Sequence, residues 1–362
     1  MSKGTVLMVA GASGGHVFPA LAVADELKAQ GYTCVFVLGG GKFGHLITAR
    51  GYALEYLPAA AFANRGPIAL MKAGFMLVRG LLRARELVAQ YKPVAAFGTG
   101  GYATVAMMAA AKMAGVPTII HNADTILGRA NKLLARWVDK VLVTFPETYV
   151  PAVVEAKTVV VGTPLRHEVL EARTLVRVED GVFRLLVLGG SQGSAVLGAV
   201  VPAMVRQLSL KERESMAVVH QARAQDVEML EAQYAGIGLR SVEVKAFFDD
   251  LPARTVACNL IVARAGMNTL LEACTLGRAA IYCPHRLADN HQLHNARVAV
   301  EAGAALLLEE PNFTPDNLRK EVRVLMMDKA RVAGMETAAL GLARVDAAVR
   351  GAEEIIKVVR HG

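Results

Sequence analysis

The sequence predicts an α/β protein built from two doubly wound, Rossmann-like parallel-sheet domains that face each other across a cleft. Short, almost continuously apolar strands alternate with longer helical patterns, which is typical of a parallel sheet covered by helices on both faces. This alternation stops in a polar stretch, residues 167–182, and then begins again. The two halves open alike, since VLMVAGASGG and LLVLGGSQGS each lead from a strand through a glycine-rich turn into a helix. Ligands of such domains bind at the carboxyl ends of the strands.

The predicted strands divide evenly between the halves. In the first half they are residues 5–11, 33–39, 94–100, 117–122, 140–145 and 158–164, and in the second 184–190, 216–221, 242–247, 260–266, 279–284 and 305–310. We therefore expect an N-terminal domain over 1–162, a linker over 163–182 and a C-terminal domain over 183–336. Residues 337–362 are expected to form a last helix that can pack back on the N-terminal domain.

The composition fits a globular protein and limits its partners. Of 362 residues, 54% are hydrophobic, no apolar run reaches the roughly 18 residues of a spanning helix, and no cleavable signal opens the chain, so we expect a soluble, cytoplasmic protein. Cys34, Cys258, Cys274 and Cys283 match no CxxC spacing and are expected to be reduced. The formal charge of +8 favours an anionic partner. Nucleic acid is disfavoured because no dense basic run is interleaved with aromatic residues.

The first glycine-rich turn, residues 11–16, predicts an anion site with a histidine at its edge. Glycines allow close approach of the backbone, and free amides at a helix start favour negative charge, although a tight turn can also hold no ligand. A dinucleotide site is disfavoured, because the spacing is not GxGxxG and the second strand ends in glycines where an acidic residue is needed. The helix dipole keeps the His16 imidazole neutral, which makes it a candidate general base unless it only closes the turn.

Two further strand ends carry the same pattern and indicate a phosphorylated substrate. They are residues 189–193 and 265–269, each directly after an apolar strand. Glu272 follows by one helical turn, so its carboxylate can accept sugar hydroxyls near a bound phosphate; the alternative is a solvated side chain. Residues 289–295 are rich in paired donors and acceptors that suit sugar hydroxyls. Metal binding by His291 and His294 is the rival interpretation, disfavoured because no third ligand is evident.

Seven segments together resemble the MurG family of inverting N-acetylglucosaminyltransferases, which convert lipid I to lipid II in peptidoglycan synthesis. They are GASGGHVFPALAVADEL, FGTGGYATVA, GTPLR, LLVLGGSQGS, FFDDLP, ARAGMNTLLEA and ADNHQLHNA, and they span about residues 4–345. The resemblance implies the glycosyltransferase B fold, UDP-N-acetylglucosamine as donor on the C-terminal domain, and the lipid-linked muramyl pentapeptide as acceptor on the N-terminal one. No DxD motif occurs in the sequence, so we expect no metal or cofactor to be required in the site. The resemblance also implies a peripheral position at the cytoplasmic face of the inner membrane. The alternatives are a transferase with another acceptor, a UDP-sugar epimerase of related fold and a protein that binds the nucleotide without turnover.

The same resemblance implies roles for single residues. His16 is the base that takes the proton from the muramyl C4 hydroxyl, and Tyr102 lies on the acceptor side. Groups around the diphosphate stabilise the leaving UDP, and inversion in one displacement needs no covalent intermediate. Glu272 reads the ribose hydroxyls and the backbone at Phe248 reads uracil. The other implied donor contacts are Ser13, Gly14, Gly15, Arg166, Ser191, Gln192, Met267, Asn268, Thr269, His291, Gln292 and Asn295.

The chain departs from the family pattern in two motifs. Family members commonly have HEQN where this chain has His121, Asn122, Ala123 and Asp124, and GGTGGH where it has GASGGH. The exchange of Thr for Ser keeps a hydroxyl. The loss of Glu and the gain of Asp124 leave two interpretations: the carboxylate has moved by two residues and competes with His16 as the base, or the acceptor differs.

The segment 67–85 predicts a helix with two apolar faces. At about 100° per residue, Leu70, Leu77 and Leu81 share the face assigned to the core. The second face resembles the membrane-docking patch of the family, and the alternative is that a loop covers it. Its apolar residues are Ile68, Met71, Phe75, Val78 and Leu82, and its basic residues are Lys72, Arg79 and Arg83. An anionic membrane surface is therefore an expected partner.

Overall fold

The computed structural model describes residues 2–41, 43–58, 67–190, 193–286 and 289–361, with the backbone alone for 67–73 and 360–361. The chain forms two compact units, Met1–Arg166 with Arg344–Gly362 and His167–Ala343, named here the first and second units. Each contains a parallel sheet with helices on both faces. The predicted α/β class with two doubly wound sheets is therefore confirmed.

The first unit has a seven-stranded sheet in its described residues. Its strands are β1 (Thr5–Ala10), β2 (Thr33–Leu38), β3 (Ala53–Tyr56), β4 (Ala95–Gly98), β5 (Thr118–Asn122), β6 (Lys140–Val143) and β7 (Thr158–Val160). They follow the order β3-β2-β1-β4-β5-β6-β7, and every neighbouring pair is parallel. β3 was not predicted, because it is a short, partly exposed edge strand without a continuous apolar run.

Helices cover both faces of this sheet. They are α1 (Gly14–Ala29), α2 (Gly44–Ala49), α3 (Pro67–Tyr91), α4 (Tyr102–Met113), α5 (Arg129–Leu134) and α6 (Ala152–Glu155). One core lies between the sheet and the layer of α3, α4 and α5, and a second core lies on the opposite side with α1 and α2. The order of the strands reverses beside β1, so the ends of β1 and β4 form the switch point where ligands of such sheets bind.

The second unit repeats this arrangement with six strands in its described part. They are β8 (Phe183–Leu188), β9 (Met216–Gln221), β10 (Ser241–Lys245), β11 (Leu260–Ala263), β12 (Ala280–Tyr282) and β13 (Ala305–Leu307), all predicted. Their order is β10-β9-β8-β11-β12-β13. The helices are α7 (His167–Ala172), α8 (Ala195–Arg206), α9 (Leu210–Glu214), α10 (Val227–Tyr234), α11 (Leu251–Ala257), α12 (Met267–Thr275), α13 (His291–Glu301), α14 (Pro315–Met327) and α15 (Lys329–Leu342).

The boundaries of the two units differ from those expected. Residues 167–182 are not a free linker, because α7 packs on α11 and α12 and Arg177 forms an ion pair with Glu336. The second unit continues to Ala343, since α15 packs on α12. The last helix, α16 (Ala347–His361), packs on α1 of the first unit and buries Ile355 in its core.

Among the described residues, no helix is long and apolar enough to cross a membrane.

Candidate active site

The first glycine-rich turn joins β1 to α1 and holds His16 at the helix start. The carbonyl of Ser13 accepts hydrogen bonds from the amides of His16 and Val17. The Ser13 hydroxyl lies 3.1 Å from Nδ1 of His16. Thr99 Oγ1 donates to the carbonyl of His16 at 2.8 Å. The histidine is therefore held through both its backbone and its ring.

Glycines form the walls around the His16 ring. A β-carbon at Gly11 would stand 2.5 Å from Nδ1, and one at Gly100 would stand 3.0 Å from Nε2. Because β1 and β4 pair in the sheet, the turns that follow them lie side by side. The motifs GASGGH and FGTGGY thus meet at one histidine, and any side chain at Gly11 would displace its ring.

The surroundings of His16 keep it neutral. Burial lowers the pKa of the imidazole below its usual value, and the negative charge of Asp124 partly opposes this shift. In the tautomer in which the Ser13 hydroxyl accepts from Nδ1–H, the lone pair lies on Nε2. The ring can then take a proton from a hydroxyl placed at Nε2.

The end of β5 places a second, buried histidine near His16. His121 is 1% exposed, and its Nε2 lies 2.8 Å from the carbonyl of Gly162. Burial lowers the pKa of His121 to about 4, although the bond to Gly162 acts in the opposite direction. Nε2 therefore donates to Gly162, and the ring remains uncharged near pH 7. Asn122, which follows, donates from Nδ2 to the carbonyl of Asp124 at 2.6 Å and so holds that residue's backbone.

Asn131 belongs to this cluster and was missed in the sequence. Its side chain is buried, and Nδ2 donates to the carbonyl of His121 at 2.9 Å and to Oδ1 of Asn122 at 3.0 Å. The amide of Gly128 donates to the same Asn122 oxygen at 3.1 Å. The loop between β5 and α5 is thus closed by amide groups. A polar residue in a short helix carries no distinguishing sequence signal, because its partners are nine and ten residues away.

Two other predicted residues also lie in the first unit. Tyr102 begins α4 directly after Gly101, in the turn that follows β4. Arg166 is the last residue before α7, and its guanidinium lies 5.1 Å from the centroid of the Phe18 ring in α1. The roles predicted for these residues in acceptor and diphosphate binding remain predictions.

α3 exposes part of the predicted second face. Phe75, Val78 and Leu82 are 63%, 57% and 56% exposed, and the Arg79 guanidinium lies 5.8 Å from the centroid of the Phe75 ring. The side chains of Ile68, Leu70, Met71 and Lys72 lie outside the described residues.

One core assignment on α3 is wrong, and one basic residue of the predicted stripe is paired with carboxylates. Leu77 was assigned to the core but is 37% exposed. Arg83 is not a free cation, since it forms 3.0 Å ion pairs with Glu55 and Glu86. The basic stripe beside the exposed face is therefore weaker than predicted.

In the second unit, the turn after β8 leads into α8. Ser191 and Gln192, the predicted diphosphate contacts, lie outside the described residues. Ser194 caps α8 by accepting from the amide of Leu197 at 3.4 Å. The same hydroxyl also accepts from Nε of Arg264 at 3.0 Å.

The turn after β11 begins α12 and presents its backbone. Gly266 precedes the helix without a side-chain cap, and Met267 is buried, so its amide rather than its side chain can meet a ligand. Asn268, Thr269 and Glu272 are half-buried. Glu272 follows Asn268 by four residues and Thr269 by three, so the three share one face of α12.

The polar cluster around α13 divides into distinct parts. His291 Nδ1 lies 2.6 Å from Asp289 Oδ1, and Gln292 Oε1 accepts from the amide of His285 at 2.9 Å. Asn295 is fully buried and donates to the carbonyl of Ala265 at 3.3 Å, which joins α13 to the turn before α12. The prediction that Asn295 reads the sugar is therefore revised to a supporting position behind that turn.

Phe248 is buried beneath two cations. The Arg254 guanidinium lies 4.5 Å and Lys245 Nζ lies 5.8 Å from the centroid of its ring. Its side chain is therefore a core anchor for the loop after β10. The role in uracil recognition predicted for its backbone remains a prediction.

Arg264 was also missed and connects several of these segments. It is buried, and Nη1 donates to the carbonyl of Cys283 at 3.0 Å and forms a 2.7 Å ion pair with Glu310. His285 lies 3.3 Å from the same carboxylate. Burial alone would raise the pKa of Glu310, but the hydrogen bonds from His285 and Arg264 hold it below its usual value.

The four cysteines are not arranged for disulfide or thiolate chemistry. All four cysteines are free and buried, and burial raises the pKa of each thiol to about 12. In the part of the chain that the structure describes, no group of three or more His, Cys, Asp or Glu is arranged to hold a metal ion.

Comparison with known proteins covers both units. The Glycosyltransferase family 28 N-terminal domain matches residues 6–143, and the Glycosyltransferase family 28 C-terminal domain matches residues 184–354. The UDP-N-acetylglucosamine–N-acetylmuramyl-(pentapeptide) pyrophosphoryl-undecaprenol N-acetylglucosamine transferase of Nitrobacter hamburgensis is 35% identical, over 98% of this chain and 97% of that protein. The protein of the same name from a Bradyrhizobium species is 36% identical, over 97% of each chain.

Solved structures are also similar to this chain over nearly its whole length. The crystal structure of Acinetobacter baumannii MurG has a TM-score of 0.79 at 27% identity, over 98% of this chain and 99% of that chain. A UDP-N-acetylglucosamine 2-epimerase has a TM-score of 0.69 at 14% identity, which shows a shared fold alone. Together with the family 28 matches, these comparisons establish the glycosyltransferase B fold.

Proposed function

This chain belongs to the MurG family and transfers N-acetylglucosamine from UDP-N-acetylglucosamine to lipid I, giving lipid II in peptidoglycan synthesis, and we propose that it does so with His16 as the general base. The acceptor is undecaprenyl-pyrophosphoryl-MurNAc-pentapeptide. The observation that carries the proposal is the His16 ring, neutral and enclosed by Gly11 and Gly100, with the Ser13 hydroxyl at Nδ1.

The reaction is an inverting displacement. Nε2 of His16 takes the proton from the muramyl C4 hydroxyl as that oxygen attacks the anomeric carbon of the donor sugar. The bond between the anomeric carbon and the diphosphate oxygen breaks, and UDP leaves with the electron pair. Asp124 stabilises the imidazolium that forms, because its charge favours protonated His16. His121 and Asn131 position the loop that carries Asp124.

The donor binds on the second unit. The uncapped start of α12 offers amides to the diphosphate, where the helix dipole favours negative charge. Glu272, on the same face as Asn268 and Thr269, accepts the ribose hydroxyls. His291 and Gln292 meet the sugar, while Asn295 supports the turn from behind. Ser191, Gln192 and Arg166 remain proposed diphosphate contacts.

Turnover of a His16→Ala variant tests the base. We expect turnover to fall by roughly 10²- to 10⁴-fold while UDP affinity is retained. UDP release is measured first with UDP-N-acetylglucosamine alone and then after addition of lipid I. The matched variant is Asp124→Asn, which removes the competing carboxylate. A loss confined to Asp124→Asn would assign the base to Asp124, and full activity in both variants would refute the acceptor-side assignment.

The enzyme reaches its lipid-linked acceptor, we propose, through the exposed face of α3 at the cytoplasmic surface of the membrane. Phe75, Val78 and Leu82 can insert into the interface, at about 1.5 to 3 kcal/mol for each large side chain. Arg79 beside Phe75 adds about 1 kcal/mol on anionic lipid. Arg83 contributes less, since two carboxylates already neutralise it.

Vesicle sedimentation tests this surface. Phe75→Asp with Val78→Asp should abolish binding to phosphatidylglycerol vesicles and sharply reduce turnover of lipid I, with UDP binding intact. The control is Tyr149→Asp with Val153→Asp, which places two charges at positions of the same unit that are at least as exposed. Equal vesicle binding by the α3 variant and the wild type would exclude the docking role.

A further inference from the structure

An arginine at the end of β9 lies against the second glycine-rich turn. A β-carbon at Gly193 would stand 2.3 Å from Cγ and 2.9 Å from the backbone nitrogen of Arg223, so this side chain lies across the end of the turn. Gly193 has φ +66°, which an L side chain rarely adopts. From this placement we propose that Arg223 binds the diphosphate of the nucleotide sugar, an inference that rests on the donor site proposed above.

The position of Arg223 in the sheet suits this role. The amide of Ala222 donates to the carbonyl of Lys245 at 2.9 Å, so Arg223 follows directly where β9 and β10 part. β10 leads into the loop of Phe248, which is proposed to read uracil. Arg223 therefore lies beside the turn assigned to the phosphates, at the end of the sheet from which β10 leads to the loop assigned to the base.

Two guanidinium groups lie next to this turn, and they differ in how many hydrogen bonds and ion pairs they form with the protein. Arg264 is buried and bonded to Ser194, Cys283 and Glu310. The side chain of Arg223 is 36% exposed, and its Nε is paired with Asp226. Its two terminal nitrogens make no hydrogen bond to any residue within the described ranges. A guanidinium with both terminal nitrogens available can bind a phosphate through two parallel bonds.

The rival role for Arg223 is structural. Asp226 ends the 3-10 helix Ala224–Asp226 that leads into α10, and the ion pair could serve only to hold that turn. Removal of either partner would then have the same effect. Phosphate binding predicts the opposite, because loss of Asp226 leaves the cation in place and frees Nε as well.

Calorimetry on the full chain separates the two roles. Arg223→Gln should weaken UDP binding by about 10- to 100-fold, the range for a hydrogen bond to a charged group. Uridine, measured by competition, should bind as to the wild type because it carries no phosphate. Asp226→Asn should bind UDP at least as tightly as the wild type. Arg223→Lys keeps the positive charge but loses the paired N–H donors of the guanidinium. It should therefore show an intermediate loss of UDP affinity.

Three outcomes would overturn the proposal: unchanged UDP affinity in Arg223→Gln, equal losses for UDP and uridine, or a loss in Asp226→Asn that matches Arg223→Gln. Thermal unfolding of each variant identifies a folding defect, and Arg223→Lys then carries the test. Failure of the donor function itself looks different, since the wild type would not bind UDP at all.

Discussion

The two units share a fold but place different side chains against their glycine-rich turns. In the first unit, Gly11 and Gly100 leave room for the neutral ring of His16. In the second unit, Gly193 leaves room for the cationic side chain of Arg223. The parallel sheet determines where a ligand binds, at the carboxyl ends of its strands. We propose that the side chain packed against the glycine decides whether that end handles a proton or a phosphate.

Methyl groups at the two glycines should separate the functions of the units. Gly11→Ala pushes a β-carbon to 2.5 Å from Nδ1 of His16 and should lower kcat by about 100-fold, with donor affinity retained. Gly193→Ala should weaken donor binding by about tenfold and lower kcat less than Gly11→Ala does, because it strains the turn against Arg223. Steady-state kinetics and UDP titration measure both. Equal effects of the two variants on kcat would contradict the proposal that the first unit carries the base and the second unit binds the donor.

Glu272→Ala tests whether the donor binds to the second unit through this residue. Loss of a charged hydrogen-bond acceptor for the ribose hydroxyls should weaken UDP binding by about 1.5 to 3 kcal/mol, with little loss of folding stability. Calorimetry gives the UDP affinity, and His16→Ala serves as the control from the first unit. Unchanged UDP affinity in Glu272→Ala would remove this residue from the site.

The units resemble each other in burying one neutral histidine in a strand. Burial lowers the pKa of His121 in β5 and of His220 in β9 to about 4 each. Between pH 6.5 and 4 the unfolded chain binds more protons, so each unit loses stability as the pH falls, by about 2 kcal/mol per histidine at pH 5. Hydrogen exchange of the β5 and β9 amides, corrected for intrinsic rates, reports the two units separately.

A matched substitution tests the origin of this acid sensitivity. His220→Phe removes the titrating group beside Tyr234, whose hydroxyl lies 3.0 Å from Nδ1. It should flatten the pH dependence of β9 between pH 7 and 5 and leave that of β5 unchanged. An unchanged slope in β9 would show that other groups cause the loss.

The smallest expected effect is a shift in the pH profile of the reaction. Because the pKa of His16 is lowered, kcat/KM should stay constant as the pH falls through 6.5 and decline only at lower pH, where His16 becomes protonated. Asp124 raises this pKa, so Asp124→Asn should move the acidic limb to still lower pH. A shift toward higher pH would contradict the electrostatic interaction between these two groups.

The sequence by itself was sufficient for the scaffold and for much of the proposed chemistry. Apolar runs and glycine-rich turns are local patterns, so β1, β8 and the helix starts beside them could be located from a few consecutive residues. His16 and Glu272 could be nominated in the same way, since each lies within a few residues of such a turn. The exposed, short strand β3 carries no such pattern and was missed.

Only the tertiary structure decided how distant segments combine. The contacts of Asn131 with Asn122, of Arg223 with Gly193 and of Arg264 with Ser194 span nine to seventy positions, and no periodicity encodes such distances. Burial alone distinguishes Asn295 from its neighbour Gln292, and ion pairing alone distinguishes Arg83 from Arg79. Whether a polar side chain faces a ligand or supports a neighbouring loop depends on what packs around it, and that is settled only when the whole chain has folded.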